Sequence, residues 1–188
     1  MINEPIVFQF KSPEAPNTLY LDRDGVLNEV VIRSGEVSSP RTIHELNLSS
    51  DIEVLSDPKI VDTWNLVVIT NQPDLSRKLI DINFLEKINS KILEKIPVNI
   101  FYVCPHQSID NCICRKPKIG MIENYRREYP SSIKNEVMIG DTNKDLKCAE
   151  KANINFILKI QSYNLDLKNS APYNISSFFE LSIISEYS

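Results

Sequence analysis

Short apolar runs alternate with longer amphipathic segments along most of the chain. The runs lie at 18–22, 66–70, 98–104, 136–141 and 155–159 and are rich in Val, Ile, Leu and aromatic residues. They lack strict alternation of apolar and polar positions, which is typical of strands buried on both faces. We therefore predict five short strands in these places.

The segments between the runs predict helices. The clearest follows Asp81, a favoured N-cap residue, and ends before Pro97. Its apolar face carries Leu85, Ile88, Ile92 and Ile96. Further helices are predicted at 119–129, 143–152 and 175–187, and 51–63 has a helical pattern that Pro58 must begin or interrupt. Strands that alternate with helices indicate an α/β fold with a parallel sheet covered on both sides.

Composition narrows the class of protein. The 188 residues fit a single domain over 1–188, and an apolar fraction of 42% is enough for a continuous core. No segment is apolar enough to span a membrane. A formal net charge of −4 offers no basic stripe to a nucleic acid. The first ten residues lack a secretory signal pattern, so we expect a cytoplasmic protein, and we expect a monomer.

Polar residues close several of the predicted strands, at Asp22, Thr70, Cys104 and Asp141. In parallel sheets, ligands collect beyond the carboxyl ends of the strands. The region 29–50 has the pattern of a long loop or short hairpin at the same rim. The sequence therefore places a candidate site at this edge of the sheet.

The acidic residues of this edge favour a metal ion. Asp22 and Asp24 are two residues apart, so their side chains point to the same side of an extended chain. Two close carboxylates repel, and the pKa of one rises unless a cation neutralises them. Mg²⁺ prefers oxygen ligands and would serve. The stretch GDTNKD supplies a third carboxylate through Asp141, with Asp145 four residues on.

The remaining polar residues suit a phosphoryl group. Thr70 and Asn71 offer a hydroxyl and an amide, and Arg115 and Lys116 offer cations. Phosphoryl transfer needs a nucleophile, a metal and donors to the phosphoryl oxygens. One aspartate can attack phosphorus while the other protonates the leaving oxygen, and spacing does not assign the two roles. Each pattern alone is more often a turn or a solvated basic stretch, but their joint placement favours phosphoryl chemistry.

A cluster of thiols and imidazole lies between the third strand and the basic pair. The stretch CPHQSIDNCIC contains Cys104, His106, Cys112 and Cys114. In a reducing compartment such a cluster indicates metal more often than disulfides. Four ligands of this kind form a closed tetrahedral zinc site, which favours a structural role. We expect His44 at the surface and Cys148 in the core.

Taken in order, the motifs from residue 18 to 145 resemble those of the haloacid dehalogenase-like hydrolase superfamily. LDRDGVLNE resembles the first motif, ITNQ the second, RKP the third and GDTNKD the fourth. The insert CPHQSIDNCICRKPKIGM is similar to one branch, which contains D-glycero-D-manno-heptose 1,7-bisphosphate 7-phosphatases and histidinol-phosphate phosphatases. This resemblance implies a Rossmann-like three-layer fold with a zinc-binding loop.

The resemblance also implies roles for individual residues. Asp22 would be the nucleophile, and Asp24 the general acid/base, which would also bind Mg²⁺ through its backbone carbonyl. Asp141 would complete the Mg²⁺ site. The phosphoryl group would be stabilised by Thr70 and Lys116, and the substrate contacted by Asn71 and Arg115. Structural zinc would be held by Cys104, His106, Cys112 and Cys114.

The implied activity is Mg²⁺-dependent hydrolysis of a phosphate monoester through an aspartyl-phosphate. Gly120-Met121 after RKPK, and Arg77 seven residues after Thr70, favour the 7-phosphate of a heptose 1,7-bisphosphate as substrate. Pro73-Asp74 and a long 29–50 loop depart from that branch. The alternatives are histidinol phosphate or another small phosphate ester, and a catalytically silent, zinc-stabilised binding protein of the same fold.

Motif spacing limits what can cover the site. The intervals 22–70 and 70–116 must already contain sheet and helix, which leaves no space for a folded cap of about 50 residues or more. We therefore expect a capless site, walled by the zinc loop and the 29–50 loop. Such a site favours a small phosphorylated sugar with an accessible end.

Overall fold

A seven-stranded sheet forms the centre of the computed structural model, which describes residues 4–181. Its strands are β1 (Ile6–Gln9), β2 (Asn17–Leu21), β5 (Trp64–Asn71), β6 (Ile100–Cys104), β7 (Glu136–Gly140), β8 (Asn155–Lys159) and β9 (Tyr173–Ile175), while β3 (Val31–Arg33) and β4 (Glu36–Ser38) form a separate hairpin. The order across the sheet is β1-β6-β5-β2-β7-β8-β9. Within the described part of this seven-stranded sheet, only β1 pairs antiparallel, with β6. The five predicted strands and the hairpin at 29–50 are confirmed.

Four α-helices connect the strands: α1 (Pro58–Val61), α2 (Ile82–Leu93), α3 (Gly120–Glu128) and α4 (Asn143–Ala152). The Asp81 carboxylate caps α2 by accepting from the Phe84 amide at 2.8 Å, as predicted. The helical pattern at 51–63 divides into a 3₁₀ turn at Ile52–Ser56 and α1, which Pro58 begins. Pro58 favours this position because it has no amide hydrogen to donate.

The helix predicted at 175–187 is wrong at its start. Ile175 is the last residue of β9 and pairs with Lys159 of β8. A single helical turn follows at 178–181, and residues 182–187 lie outside the described part of the chain. A buried carboxylate fixes this region instead, since Asp51 accepts from the Phe178 amide at 2.6 Å and from Lys159 at 2.9 Å.

Two apolar layers flank the sheet. Leu19 and Leu21 of β2 pack in one cluster with Ile88 and Ile92 of α2. Tyr20, between them in sequence, points to the other face and packs edge-on against Tyr125 of α3, with ring centroids 5.6 Å apart. Alternation of side chains along each strand thus feeds both cores, which gives the expected three-layer α/β fold.

The topology opens a crevice beside the first acidic loop. From β2 the chain moves outward to β5 and β6, then returns to the opposite side of β2 for β7 and β8. Loops after β2 and β7 therefore diverge, and such switch points are where open α/β sheets bind ligands. Between β2 and β5 lie only the hairpin and short helices, and between β5 and β6 lies α2. Within residues 4–181, no helix has the length and hydropathy to cross a bilayer.

Candidate active site

The loops that follow β2, β5, β6 and β7 enclose a cavity of about 190 Å³. All seven residues predicted for catalysis, substrate contact or Mg²⁺ binding line it: Asp22, Asp24, Thr70, Asn71, Arg115, Lys116 and Asp141. Asp145 lines it too. The hairpin adds a wall through Val37, Ser38 and Ser39. The structure therefore brings the predicted residues together at the switch point.

Lys116 lies at the centre of this cavity wall. Its ammonium group is buried, 2.8 Å from Asp22 Oδ1 and 2.7 Å from Asp145 Oδ1. Asp145 is fully buried and also accepts from the amide and hydroxyl of Thr142 at the start of α4. One cation thus joins the first and fourth motifs. Loss of the Lys116 ammonium group would leave the buried carboxylates of Asp22 and Asp145 without a counter-charge. We therefore expect the folded site to depend on this side chain.

Asn71 fixes the backbone that carries Lys116. Its amide oxygen accepts from the Lys116 amide at 3.0 Å, and its amide nitrogen donates to the Lys116 carbonyl at 3.1 Å. Both polar atoms of a residue predicted to touch substrate therefore bind the loop of the third motif. Arg115, the next residue back, donates to the His106 carbonyl at 2.9 Å. His106 of the cysteine-histidine cluster and Arg115 of the basic pair are thus directly connected.

Asp24 is held as a carboxylate by neighbours that the sequence analysis missed. Arg23 Nη2 lies 3.0 Å from each carboxylate oxygen of Asp24, and the Asn28 side-chain amide donates to Oδ1 at 2.9 Å. The Ser39 hydroxyl and the Gln72 amide each donate at 2.7 Å. Burial alone would raise the pKa of Asp24, but Arg23 and the three other donors together lower it.

The carboxylates of Asp22, Asp141 and Asp145 form an electrostatically unfavourable cluster, with oxygens within 4.8 Å of one another. Burial and then Asp145 raise the pKa of Asp22 to about 7, against the opposing effect of Lys116. Burial, Asp22 and Asp145 raise the pKa of Asp141 as well. Lys116 balances one charge of the three, so the cluster retains excess negative charge.

A hard cation fits this excess charge. Asp141 Oδ2 accepts from the Tyr163 hydroxyl. Asp141 Oδ1 is buried and has no hydrogen-bond partner among residues 4–181. An unpartnered carboxylate oxygen beside a second carboxylate offers the all-oxygen donor set that Mg²⁺ prefers. The donors present therefore suit Mg²⁺.

The thiol and imidazole cluster has the dimensions of a tetrahedral zinc site. With Zn–S bonds of about 2.3 Å and Zn–N bonds of about 2.0 Å, ligand atoms are separated by ~3.8 Å for two sulfurs and ~3.5 Å for sulfur and nitrogen. Cys112 Sγ lies 3.7 Å from both Cys104 Sγ and Cys114 Sγ. His106 Nδ1 lies 3.6 Å from Cys104 Sγ and 3.3 Å from Cys114 Sγ. The four ligands therefore fit zinc in a closed site.

Asp74 explains one departure from the family pattern. Asp74 is buried, and its carboxylate pairs with Arg41 Nε at 2.7 Å and with Arg77 Nη1 at 3.3 Å. Arg41 follows the hairpin, so this ion pair fastens the 29–50 segment to the loop of the second motif. A residue without a negatively charged side chain at position 74 could not form this ion pair. As expected, His44 is exposed and Cys148 is buried.

Comparison with known proteins places the chain in a family. The family profile described as polynucleotide kinase 3 phosphatase matches residues 30–172. The D-glycero-beta-D-manno-heptose-1,7-bisphosphate 7-phosphatase of Bordetella bronchiseptica is 32% identical over 139 residues, which cover 71% of this chain and 75% of the relative. The chain belongs to the haloacid dehalogenase-like phosphatases. The predicted family and branch are confirmed.

Two further comparisons match at lower sequence identity. Histidine biosynthesis bifunctional protein HisB of Actinobacillus pleuropneumoniae is 28% identical over 142 residues, which cover 73% of this chain and 38% of that protein. The crystal structure of D,D-heptose 1.7-bisphosphate phosphatase from B. bronchiseptica, complexed with magnesium and phosphate, superposes with a TM-score of 0.73. It is 23% identical and covers 90% of this chain and 99% of its own. This likeness supports the fold.

We expect Asp74→Ala to release the hairpin from the cavity. Without the carboxylate, Arg41 loses its partner, and backbone amides at 37–42 should exchange with deuterium faster. Arg41→Ala should have the same effect. The double variant should add little more, because each single variant already removes the ion pair between Arg41 and Asp74. Lys91→Ala, which breaks an exposed pair on α2, serves as the control. Unchanged exchange at 37–42 in both single variants would contradict the role of this ion pair.

Proposed function

We propose that the chain is a Mg²⁺-dependent phosphomonoesterase that removes the 7-phosphate of D-glycero-D-manno-heptose 1,7-bisphosphate. The observation that carries this proposal is the placement of Asp22, whose carboxylate meets Lys116 and the Asp141 cluster in one cavity. The names of the curated relatives support the substrate, and the solved relative with magnesium and phosphate supports the metal.

In the first half-reaction, an oxygen of Asp22 attacks phosphorus and forms an aspartyl-phosphate. The bond between phosphorus and the ester oxygen breaks, and Asp24 gives its proton to that oxygen. Lys116 and Thr70 stabilise the phosphoryl oxygens during transfer. Lys116 is already in place for this role, because its ammonium group lies beside Asp22 before substrate arrives.

In the second half-reaction, water attacks the aspartyl-phosphate while Asp24 accepts a proton from the water. Inorganic phosphate leaves and Asp22 is regenerated. The donors around Asp24 favour its carboxylate in the resting site, so Asp24 takes up a proton from solvent before the first step and returns one to solvent after the second. Bound Mg²⁺ would be held by Asp22, Asp141 and the Asp24 carbonyl and would offset the charge of the phosphoryl group.

Charge around the cavity favours a substrate with a second anionic group. Arg77, Arg115 and Lys144 line it in addition to Lys116. A bisphosphate would pair its second phosphate with these cations, whereas histidinol phosphate has no second phosphate to bind them. Reduced thiols in the zinc loop fit the cytoplasm, which we propose as the compartment.

We also propose that Cys104, His106, Cys112 and Cys114 bind a structural zinc ion. The cluster closes the loop that leads to Arg115 and Lys116, and Arg115 bonds to the backbone of His106. Ordering of this short loop by the metal would hold both cations at the cavity. All four positions of a tetrahedral zinc would be filled by protein, so the ion would not bind substrate.

A panel of phosphate esters tests the proposed substrate. We expect kcat/KM for heptose 1,7-bisphosphate to exceed that for histidinol phosphate and for sugar monophosphates by at least about tenfold. EDTA should stop turnover, and Asp22→Asn should lower kcat by at least about a thousandfold, because an amide cannot form the acyl-phosphate. Asp62→Asn, the same change at an exposed position, should leave kcat unchanged.

Three outcomes of this panel would contradict all or part of the proposal. Full activity in Asp22→Asn would rule out the aspartyl-phosphate. No turnover of any ester, with thermal stability unaffected by Mg²⁺, would favour a silent binding protein. A preference for histidinol phosphate would leave the mechanism intact and reassign the substrate.

For the zinc site, we expect about one equivalent of zinc in the purified protein by atomic emission. Cys112→Ser should lose the metal and lower kcat/KM, because Arg115 and Lys116 lose their support. Cys148→Ser is the matched control: this thiol is also buried but lies on α4 outside the cluster, so zinc should be retained. Wild-type protein without zinc, together with full activity in Cys112→Ser, would disprove the site.

A further inference from the structure

We propose that Tyr163 is a positioning residue that holds Asp141 in the orientation required for metal binding. Tyr163 and its loop belong to none of the four motifs. Tyr163 is also not one of the residues within 4–181 that line the cavity. It therefore acts through Asp141. This inference rests on the proposed Mg²⁺-dependent function and adds a residue to it.

The contact between Tyr163 and Asp141 gives the two carboxylate oxygens of Asp141 different environments. The Tyr163 hydroxyl donates to Asp141 Oδ2, which leaves Oδ1 as the buried oxygen without a partner in the described chain. Asp22 and Asp145 lie within 4.8 Å and repel this carboxylate. A neutral donor on the far oxygen opposes that repulsion and fixes the side-chain rotamer. The remaining oxygen is thereby directed towards the acidic cluster.

The segment that carries Tyr163 is itself fixed to the site. Asn164 is buried, and its amide donates to the Asp141 carbonyl at 2.7 Å and to the Lys159 carbonyl at 3.0 Å. The Gln161 backbone amide donates to Asn164 Oδ1 at 2.8 Å. These bonds hold the turn after β8 against the loop after β7. Tyr163 therefore approaches Asp141 from a rigid support.

The same turn reaches the first motif. The Gln161 side-chain amide donates to the Gly25 carbonyl at 2.8 Å. Gly25 has a φ of +85°, and a β-carbon there would overlap both Asp141 Oδ2 and the Tyr163 hydroxyl. Only glycine at position 25 leaves room for the Asp141 carboxylate and the Tyr163 hydroxyl to lie against this backbone. The turn after β8 thus ties the two acidic loops to each other independently of a metal, which lowers the cost of ordering them on binding.

Metal affinity distinguishes a positioning role from a general structural one. The test uses Mn²⁺ as the probe, because free Mn²⁺ gives a sharp electron paramagnetic resonance signal that is lost on binding. We expect Tyr163→Phe to raise the Kd for Mn²⁺ by about tenfold. The KM for Mg²⁺ should rise with it, while kcat at saturating Mg²⁺ stays within about threefold, since Tyr163 does not touch the reacting atoms.

Tyr102→Phe provides a matched control. Its hydroxyl donates to a carboxylate as well, to Glu128 Oε2 at 3.1 Å, but on the face of the sheet that packs against α3. Its loss should leave the Kd for Mn²⁺ within twofold of wild type. Gln161→Ala, which retains Tyr163 and loses the bond to Gly25, should raise the Kd in the same direction as Tyr163→Phe.

A wild-type Kd in both Tyr163→Phe and Gln161→Ala would overturn the inference, as would an equal rise in Tyr102→Phe. Wild-type protein that binds no Mn²⁺ would overturn it together with the metal site. Wild-type protein that binds Mn²⁺ and hydrolyses no phosphate ester would instead defeat the proposed function. In that case the comparison of the phenylalanine variants still decides the role of Tyr163.

Discussion

Three buried carboxylates share one ammonium group at the end of the sheet, and the organisation of the site depends on this imbalance. Lys116 lies between Asp22 and Asp145, while Asp141 has a neutral tyrosine hydroxyl as its partner. Burying like charges at this distance costs free energy, which is why the pKa values of Asp22 and Asp141 are raised. A divalent cation would relieve that cost. The charge balance of these side chains therefore favours the binding of a divalent cation.

The fold keeps the imbalance in place through contacts that support the charged side chains. Asn71 fixes the Lys116 backbone, and the cysteine cluster shapes the loop before it. Gly140 lets the fourth motif pack closely, because a β-carbon there would overlap the Asp145 side chain. These supports come from three different loops at the carboxyl ends of the strands. Their convergence is a property of the parallel sheet, which delivers each loop to the same edge.

The sequence was sufficient for the five central strands, the cavity residues of the four motifs and the cysteine-histidine cluster, because each has a local signature. Buried strands are continuous apolar runs, and Asp22, Lys116 and Asp141 follow them in recognisable motifs. The prediction missed β1 and β9, which are short, and it extended a helix into Ile175 because the apolar residues after it resemble a helix face. Pairing with β8 decides that position, and pairing partners are not encoded locally.

Several of the missed site residues share one cause. Ser39, Asp74 and Tyr163 reach the site from the hairpin, the loop after β5 and the turn after β8, and each acts on a residue distant in sequence. Their own neighbourhoods resemble ordinary polar loops. Motif spacing identifies catalytic candidates that follow one strand. The residues that orient them come from other parts of the chain, and only the complete fold brings them together.

Thermal unfolding of wild type and Asp141→Asn, with EDTA and with Mg²⁺, measures the charge imbalance most directly. Without metal, we expect Asp141→Asn to unfold about 2 °C or more above wild type, because one repelling charge is removed. With Mg²⁺, wild type should be stabilised and Asp141→Asn should not respond. If Asp141→Asn were less stable than wild type in EDTA and gained as much from Mg²⁺, the three carboxylates could not be the origin of the metal site.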